Sequence, residues 1–341
     1  MLKPVFVCLA TDDNYAPLAA VSIVSLLENN KDANELEIFL LDSGISEKNK
    51  KKLQRIVNNY SRKITFLDVT QEIIELQNKG VKAQGSYQSF AAYARFFAID
   101  KLPTYVDKLL YIDCDTCICE SLQELFNIEL YNCVIGAVID ILPDFHKKAI
   151  GFKDLDLYFN SGVILFDCYK WREENILEQI QSHLCNVRSK YSFHDQDIIN
   201  IICKDKIYPL KPKYMAFLPE YTWGKSGIIQ LTNLQESAYY EEKYINEAVN
   251  NPVIIHYVDN ILGRPWYKNN INIYGSIWEE YFAMSSFKNE FNYIERNISI
   301  GHQLLRILYK ILPKKYFISI HKYRKNKVLK NKEESIQNIV S

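Results

Sequence analysis

Along the first two-thirds of the chain, apolar residues fall into short unbroken runs, separated by longer stretches in which they recur every three or four positions. The runs VFVCLA (5–10), LEIFLL (36–41), KITFLDV (63–69), KLLYID (108–113), VIGAVI (134–139), GVILFD (162–167) and PVIIHY (252–257) predict strands. Most of them do not alternate with polar residues, as expected for strands covered on both faces. The intervening stretches predict helices. Pro17 suits a first helical turn, and Leu18, Val21, Val24 and Leu27 then share a face. Ser46 opens a charged surface helix over 46–60 with Leu53, Ile56 and Val57 turned inward. Ser121-Leu-Gln-Glu124 has the spacing of a capping box. The alternation predicts an α/β fold, a single Rossmann-like, mostly parallel sheet flanked by helices.

Beyond about residue 285 the pattern changes. Leu304, Leu305, Leu308, Ile311 and Leu312 predict one apolar helical face, with Arg306 and Lys310 on another, and Pro313 stops or kinks the helix. The chain of 341 residues has no formal net charge, but ten Lys/Arg and no Asp/Glu lie between Arg306 and Lys332. Two units are therefore expected: an α/β domain over 1–285 and a basic amphipathic helical extension over 286–341. The extension suits either an anionic membrane surface, each basic residue adding roughly 1 kcal/mol, or a helix packed on the domain with a solvated basic end. The first residues, MLKPVFVCLATDD, read as a strand rather than a signal peptide, and no run reaches the roughly 18 apolar residues of a spanning helix. Eight scattered cysteines suit a reducing, cytoplasmic setting, peripheral to the inner face of a membrane if the tail docks there. No nucleic-acid partner is expected.

The candidate chemistry centres on Asp113-Cys114-Asp115, after the run KLLYID. Ligands of open α/β folds bind beyond the carboxyl ends of the strands. Two carboxylates there would repel a nucleotide-sugar diphosphate unless a hard divalent cation lay between them, and a histidine ligand would favour Mn²⁺ over Mg²⁺. Strand ends commonly carry Asp for no such reason. A phosphatase reading of D-x-D-x-[TV] meets Cys117 where Thr or Val belongs. A zinc site at Cys114, Cys117 and Cys119 lacks a second pair, and buried packing accounts better for these thiols. ATDDNYA (10–16) ends the first strand. Asn160-Ser161-Gly162 precedes another, where the glycine suits either close ligand approach or a tight turn. Asp195, Gln196 and Asp197 lie at a helix start, where an Asp could simply cap. His256 ends a late strand, followed by Gly263-Arg264-Pro265-Trp266, in which Arg264 suits phosphate.

In this order ATDDNY, YARFF, LLYIDCDT, FNSGVILFD, HDQD and IIHY…RPW, spanning about residues 5 to 267, resemble glycosyltransferase family 8. This is the retaining group that includes bacterial lipopolysaccharide galactosyl- and glucosyltransferases and glycogenin. The resemblance implies a GT-A fold, a UDP-sugar donor, Mn²⁺ (or Mg²⁺) as cofactor, and a saccharide or lipid-linked saccharide acceptor. It assigns Ala10, Asp12 and Asn14 to the uridine, and Thr11, Tyr15, Arg95 and Cys114 to the donor. Asp113, Asp115 and His256 become metal ligands. Asn160, Ser161, Gly162, Asp195 and Gln196 embrace the transferred sugar, with Asp195 and Gln196 catalytic, and Asp140 faces the acceptor. The family's usual H-x-x-G-x-x-K-P-W ending is altered: His256 and Gly263 stand seven apart and Arg264 replaces Lys. Contacts of Gly263 and Arg264 with the diphosphate are the expectation most exposed to that insertion. The resemblance implies hexosyl transfer with retention, by same-face substitution or through a covalent adduct. A non-catalytic nucleotide-sugar-binding protein and a glycogenin-like self-glucosylating protein are the alternatives.

Overall fold

The computed structural model describes residues 3–81, 91–187 and 193–340. Among the described residues nine strands occur in chain order: β1 (Val5–Thr11), β2 (Leu36–Asp42), β3 (Lys63–Asp68), β4 (Lys108–Ile112), β5 (Thr116–Ile118), β6 (Ile135–Ile139), β7 (Phe159–Asp167), β8 (Ile207–Pro209) and β9 (Ile254–His256). Seven of them form the central sheet, in the order β3-β2-β1-β4-β7-β6-β8. The pairs β1–β2, β2–β3, β1–β4 and β6–β8 are parallel, whereas β7 runs antiparallel to both β4 and β6. Every residue of β1, β2 and β6 is buried, which is why their sequences read as continuous apolar runs.

All seven predicted strands form, but the last does not join the sheet. β9 pairs antiparallel with β5 in a separate two-stranded ribbon. β5 and β8, three residues each, are too short to leave a periodic signal in the sequence.

The helix α1 (Ala16–Asn29) begins at the proline, and Leu18, Val21, Val24 and Leu27 are buried. Its polar residues do a second job. Ser22 Oγ lies 2.9 and 2.7 Å from the carbonyls of Cys114 and Thr116, Ser25 Oγ accepts from the Ile118 amide, and Asn29 Nδ2 donates to the Ile118 carbonyl. One edge of β5 is paired by β9, and the backbone groups facing α1 are satisfied by these side chains. The helix α2 (Glu47–Asn58) is capped by Ser46, whose side chain accepts from the Asn49 amide, and it buries Leu53, Ile56 and Val57. The predicted capping box does not form. The helical turn Gln123–Phe126 has Leu122 rather than Ser121 at its cap position, and Ser121 Oγ accepts only a long 3.4 Å bond from the Gln123 amide. The Leu122 amide donates to Asn30 Oδ1, and Glu124 is drawn away to Lys213 at 2.8 Å.

The extension forms two helices, Ile300–Ile311 and Lys314–Val340, broken at Pro313. The expected single apolar face is split by packing. Leu305 is buried with Phe317 and Ile318 against Trp223, Leu231, Ile261 and Leu262, and Leu308 and Leu312 pack on the same cluster. Leu304 and Ile311 instead point outward, beside Ile300 and Ile307. Arg306 and Lys314 donate to carbonyls of Ile261 and Thr222, so part of the basic charge serves to fasten the extension to the domain.

Candidate functional site

The order of the sheet reverses at β1: β2 and β3 follow on one side, β4 on the other. In open α/β sheets such a switch opens a crevice at the carboxyl ends of the strands. Thr11 ends β1 there, and Asp113 follows β4. Cys114 Sγ lies 3.2 Å from the Ala10 carbonyl, joining the two segments across the crevice. Asp12 Oδ1 accepts from the Tyr15 amide at the start of α1, and Thr11 is fully buried, while Asn14 is exposed on the connecting loop.

Strand direction then brings distant residues to the same place. Because β7 is antiparallel to β4, its first residues meet the last of β4: Ile112 pairs with Val163, and the Asp113 amide donates to the Gly162 carbonyl at 2.8 Å. The β5–β9 ribbon places Thr116 opposite His256. His256 Nε2 thereby comes within 3.0 Å of Asp115 Oδ1 and 3.8 Å of Asp113 Oδ2. Asp113, Asp115 and His256 each offer one ligand atom, all within 4.8 Å of one another.

Two observations support a cation among these three residues. His256 Nδ1 is buried without a hydrogen-bond partner among the described residues. Gly162 leaves a cradle that a side chain would fill, since a Cβ there would lie 2.3 Å from His256 Cε1 and 2.9 Å from Asp113 Oδ2. Two carboxylates and an imidazole form an oxygen- and nitrogen-donor set suited to a divalent ion such as Mn²⁺.

Arg95 ties this cluster to a second one. Its guanidinium pairs with Asp113 at 2.9 Å and with Asp195 Oδ2 at 3.2 Å, donates to the Ser161 carbonyl, and stacks 4.7 Å from the Tyr111 ring centroid. Ser161 Oγ donates to Asp195 Oδ2 and the Ser161 amide donates to Gln196 Oε1. Gln196 Nε2 has two acceptors, Asp140 Oδ2 at 2.9 Å and the Tyr158 hydroxyl at 3.1 Å. Asp140 Oδ2 also accepts from Asn160 Nδ2 at 2.8 Å, while Asn160 Oδ1 accepts from the Gly162 amide. Asn160, Ser161, Gly162, Asp195, Gln196 and Asp140, separated in sequence, therefore form one hydrogen-bonded network.

Electrostatics follow from burial set against these partners. Burial pushes the Asp195 carboxyl upward, opposed by Arg95. Burial likewise raises Asp113, again against Arg95 and with the repulsion of Asp115 added. Burial would raise Asp115 too, but His256 and Arg264 outweigh it and hold that carboxyl well below the usual range. Burial disfavours the charged His256 imidazole, yet the adjacent Asp115 carboxylate overrides it and raises its pKa.

Arg264 lies against the Asp113–Asp115–His256 cluster, with Nη2 3.0 Å from Asp115 Oδ2, and its Nε is buried without a hydrogen-bond partner among the described residues. Gly263 sits apart, in a positive-φ turn where a Cβ would lie 2.9 Å from Arg306 Nη2. The sequence reading missed the support beneath Gln196. Tyr158 donates to Asp197 Oδ1 at 2.5 Å, His146 Nε2 lies 2.9 Å from the same oxygen, and Asp197 Oδ2 accepts from the Phe193 amide. Tyr158 and Asp197 flank the quoted NSG and DQ motifs, whereas nothing local marks His146.

The Glycosyl transferase family 8 profile matches residues 6–270. General stress protein A of Bacillus subtilis (strain 168) is 30% identical over 280 residues, covering 81% of this chain and 91% of that protein. The lipopolysaccharide 1,2-glucosyltransferase of Escherichia coli (strain K12) is 27% identical over 266 residues, 77% of this chain and 72% of that protein. Among solved structures, galactosyltransferase LgtC in complex with donor and acceptor sugar analogs superposes with a TM-score of 0.69 at 24% identity. The match covers 84% of this chain and 99% of that one. The architecture is thus the GT-A fold. By this match over most of its length, the chain belongs to glycosyltransferase family 8 and is a sugar-transferring enzyme.

Proposed function

We propose that the protein transfers galactose or glucose from a UDP-sugar to a hydroxyl of a glycan or lipid-linked saccharide, with retention of anomeric configuration and dependence on Mn²⁺ or Mg²⁺. The observation that carries this reading is the convergence of Asp113, Asp115 and His256 beside the Arg95-linked pair Asp195 and Gln196. Asp113, Asp115 and His256 would hold a divalent cation, which would supply charge neutralisation to the departing diphosphate. Arg264, at the edge of that cluster, offers a guanidinium fork to the same oxygens. Ala10, Asp12, Asn14 and Tyr15 stand at the nucleotide end of the crevice, with Thr11 buried beside them and Cys114 bonded to the Ala10 carbonyl.

The sugar lies against the network of Asn160, Ser161, Asp195, Gln196 and Asp140. As the bond from C1 to the diphosphate breaks, positive charge grows at C1, and the Asp195 carboxylate stabilises it. Both Nε2 hydrogens and Oε1 of Gln196 are engaged, which disfavours that residue as a nucleophile, while Arg95 and Ser161 bind Asp195 Oδ2. This supports a same-face substitution, in which the acceptor oxygen bonds to C1 and its proton passes to the leaving phosphate. The test is a screen of UDP-sugars with and without Mn²⁺ that measures UDP release, accompanied by the Asp113→Asn variant. Equal release without metal, or an undiminished Asp113→Asn enzyme, refutes the proposal; a glycosyl adduct trapped on Asp195 refutes the same-face route.

The extension supports cytoplasmic enzyme at an anionic membrane surface. Ile300, Leu304, Ile307 and Ile311 are 85%, 55%, 54% and 68% exposed and recur at helical spacing, forming an unpartnered apolar stripe. Lys310 and Lys315 lie close to its end in sequence, giving it the charge that suits anionic lipid. Among the described residues no helix is long and apolar enough to cross a membrane. Replacing Leu304 and Ile307 by Glu is expected to abolish sedimentation with phosphatidylserine vesicles, and unchanged sedimentation refutes membrane docking.

A further inference from the structure

The C-terminal helix does more than rest on the domain. It carries Lys325, whose ammonium donates to the carbonyl of Ile141 at 3.2 Å, on the residue directly after Asp140. Glu220, in the turn Glu220–Trp223, is buried, and its Oε2 has no hydrogen-bond partner among the described residues. Burial pushes the Glu220 carboxyl up and the Lys325 ammonium down. The attraction between them opposes both shifts, and Asp140 adds to the pull on the lysine. A buried carboxylate without a partner is unstable unless a cation lies nearby, and Lys325 is the cation that attracts Glu220.

Asp140 does the connecting. The same Oδ2 receives both Asn160 Nδ2 and Gln196 Nε2, so the position of this single oxygen sets the two amides facing the sugar. We propose that Lys325 is a positioning residue for Asp140, which makes the C-terminal helix part of the catalytic unit rather than a detachable membrane anchor. The inference deepens the reading of the Asn160–Gln196–Asp140 network given above and rests on it.

Lys325→Met keeps the stem and removes the charge. The experiment measures hydrolysis of UDP-glucose or UDP-galactose by the full chain, using whichever the wild type turns over with Mn²⁺, beside UDP affinity and Tm. Lys325→Met is expected to lower kcat roughly tenfold with UDP affinity retained, and to lower Tm because Glu220 loses its counter-ion. Adding Glu220→Gln removes the orphaned charge, so the double variant regains Tm while kcat stays low. Asp140→Asn lowers kcat by itself, and adding Lys325→Met to it costs nothing further.

If kcat is unchanged in Lys325→Met, or recovers together with Tm in the double variant, the inference is overturned and Lys325 serves only Glu220. Additive losses in the Asp140→Asn background overturn it as well. An Asp140→Asn enzyme with full activity refutes instead the underlying reading of Asp140, and the inference falls with it.

Discussion

A methyl group added at Gly162 probes the proposed metal cradle without replacing any of its ligand residues. The residue lies within β7, and its φ is not among the positive ones, so alanine meets no backbone penalty there. The obstacle is space. The new Cβ would stand 2.3 Å from His256 Cε1 and 2.7 Å from Nδ1, whereas ordinary van der Waals contact begins near 3.4 Å. The imidazole cannot swing away freely, because it is buried and bonded to Asp115. It must recede by about 1 Å, a displacement on the scale that costs 10²-fold in a positioned site. Metal affinity is therefore expected to fall about 10- to 100-fold, equivalent to about 1.4–2.8 kcal/mol. Overpacking of the strand adds about 1–3 kcal/mol of destabilisation. The assay is a calorimetric Mn²⁺ titration of Gly162→Ala in the presence of UDP. Gly136→Ala is the control: its Cβ would lie 3.0 Å from Leu130 Cδ2, crowding β6 away from the ligands. A folded Gly162→Ala protein that binds Mn²⁺ within twofold of wild type refutes the cradle argument.

Two further outcomes follow from buried polar groups. His321 of the C-terminal helix stacks on Phe317 beside Trp223, and burial pushes its pKa down to about 4. The unfolded chain, with an ordinary value near 6.5, binds more protons below that pH, so stability is lost as pH falls from about 6.5 toward 4. From pH 7.5 to pH 5 the loss is about 2 kcal/mol. Hydrogen exchange over residues 314–331 should accelerate at pH 5, and His321→Phe should flatten that dependence; identical pH profiles refute it. Tyr158→Phe leaves a Gln196 amide hydrogen without its hydroxyl acceptor, a penalty of about 1–3 kcal/mol. UDP release should drop roughly tenfold or more in kcat with the donor KM preserved, and an unaltered kcat refutes Tyr158 as a support for Gln196.

The sequence by itself determined the elements whose signal is local. Continuous apolar runs mark strands covered on both faces, Pro17 and Ser46 mark helix starts, and D-x-D, N-S-G and D-Q mark polar residues at element ends. It was also enough for the family resemblance, because ordered motifs survive where overall identity does not. What only tertiary structure decided concerns direction and partner. The antiparallel course of β7 delivers Gly162 to Asp113, and the β5–β9 ribbon delivers His256 to Asp115 across 141 positions. Period-2 patterning is the same for parallel and antiparallel strands, and a three-residue strand has too few positions to show a pattern. Competition for partners was equally hidden. Glu124 leaves its predicted cap for Lys213, the leucines of the 300–311 helix divide between core and solvent, and Lys325 turns from the basic surface to the Ile141 carbonyl, next in sequence to Asp140. Each outcome depends on which charge or apolar surface lies across the gap, and that is settled only when the chain has folded.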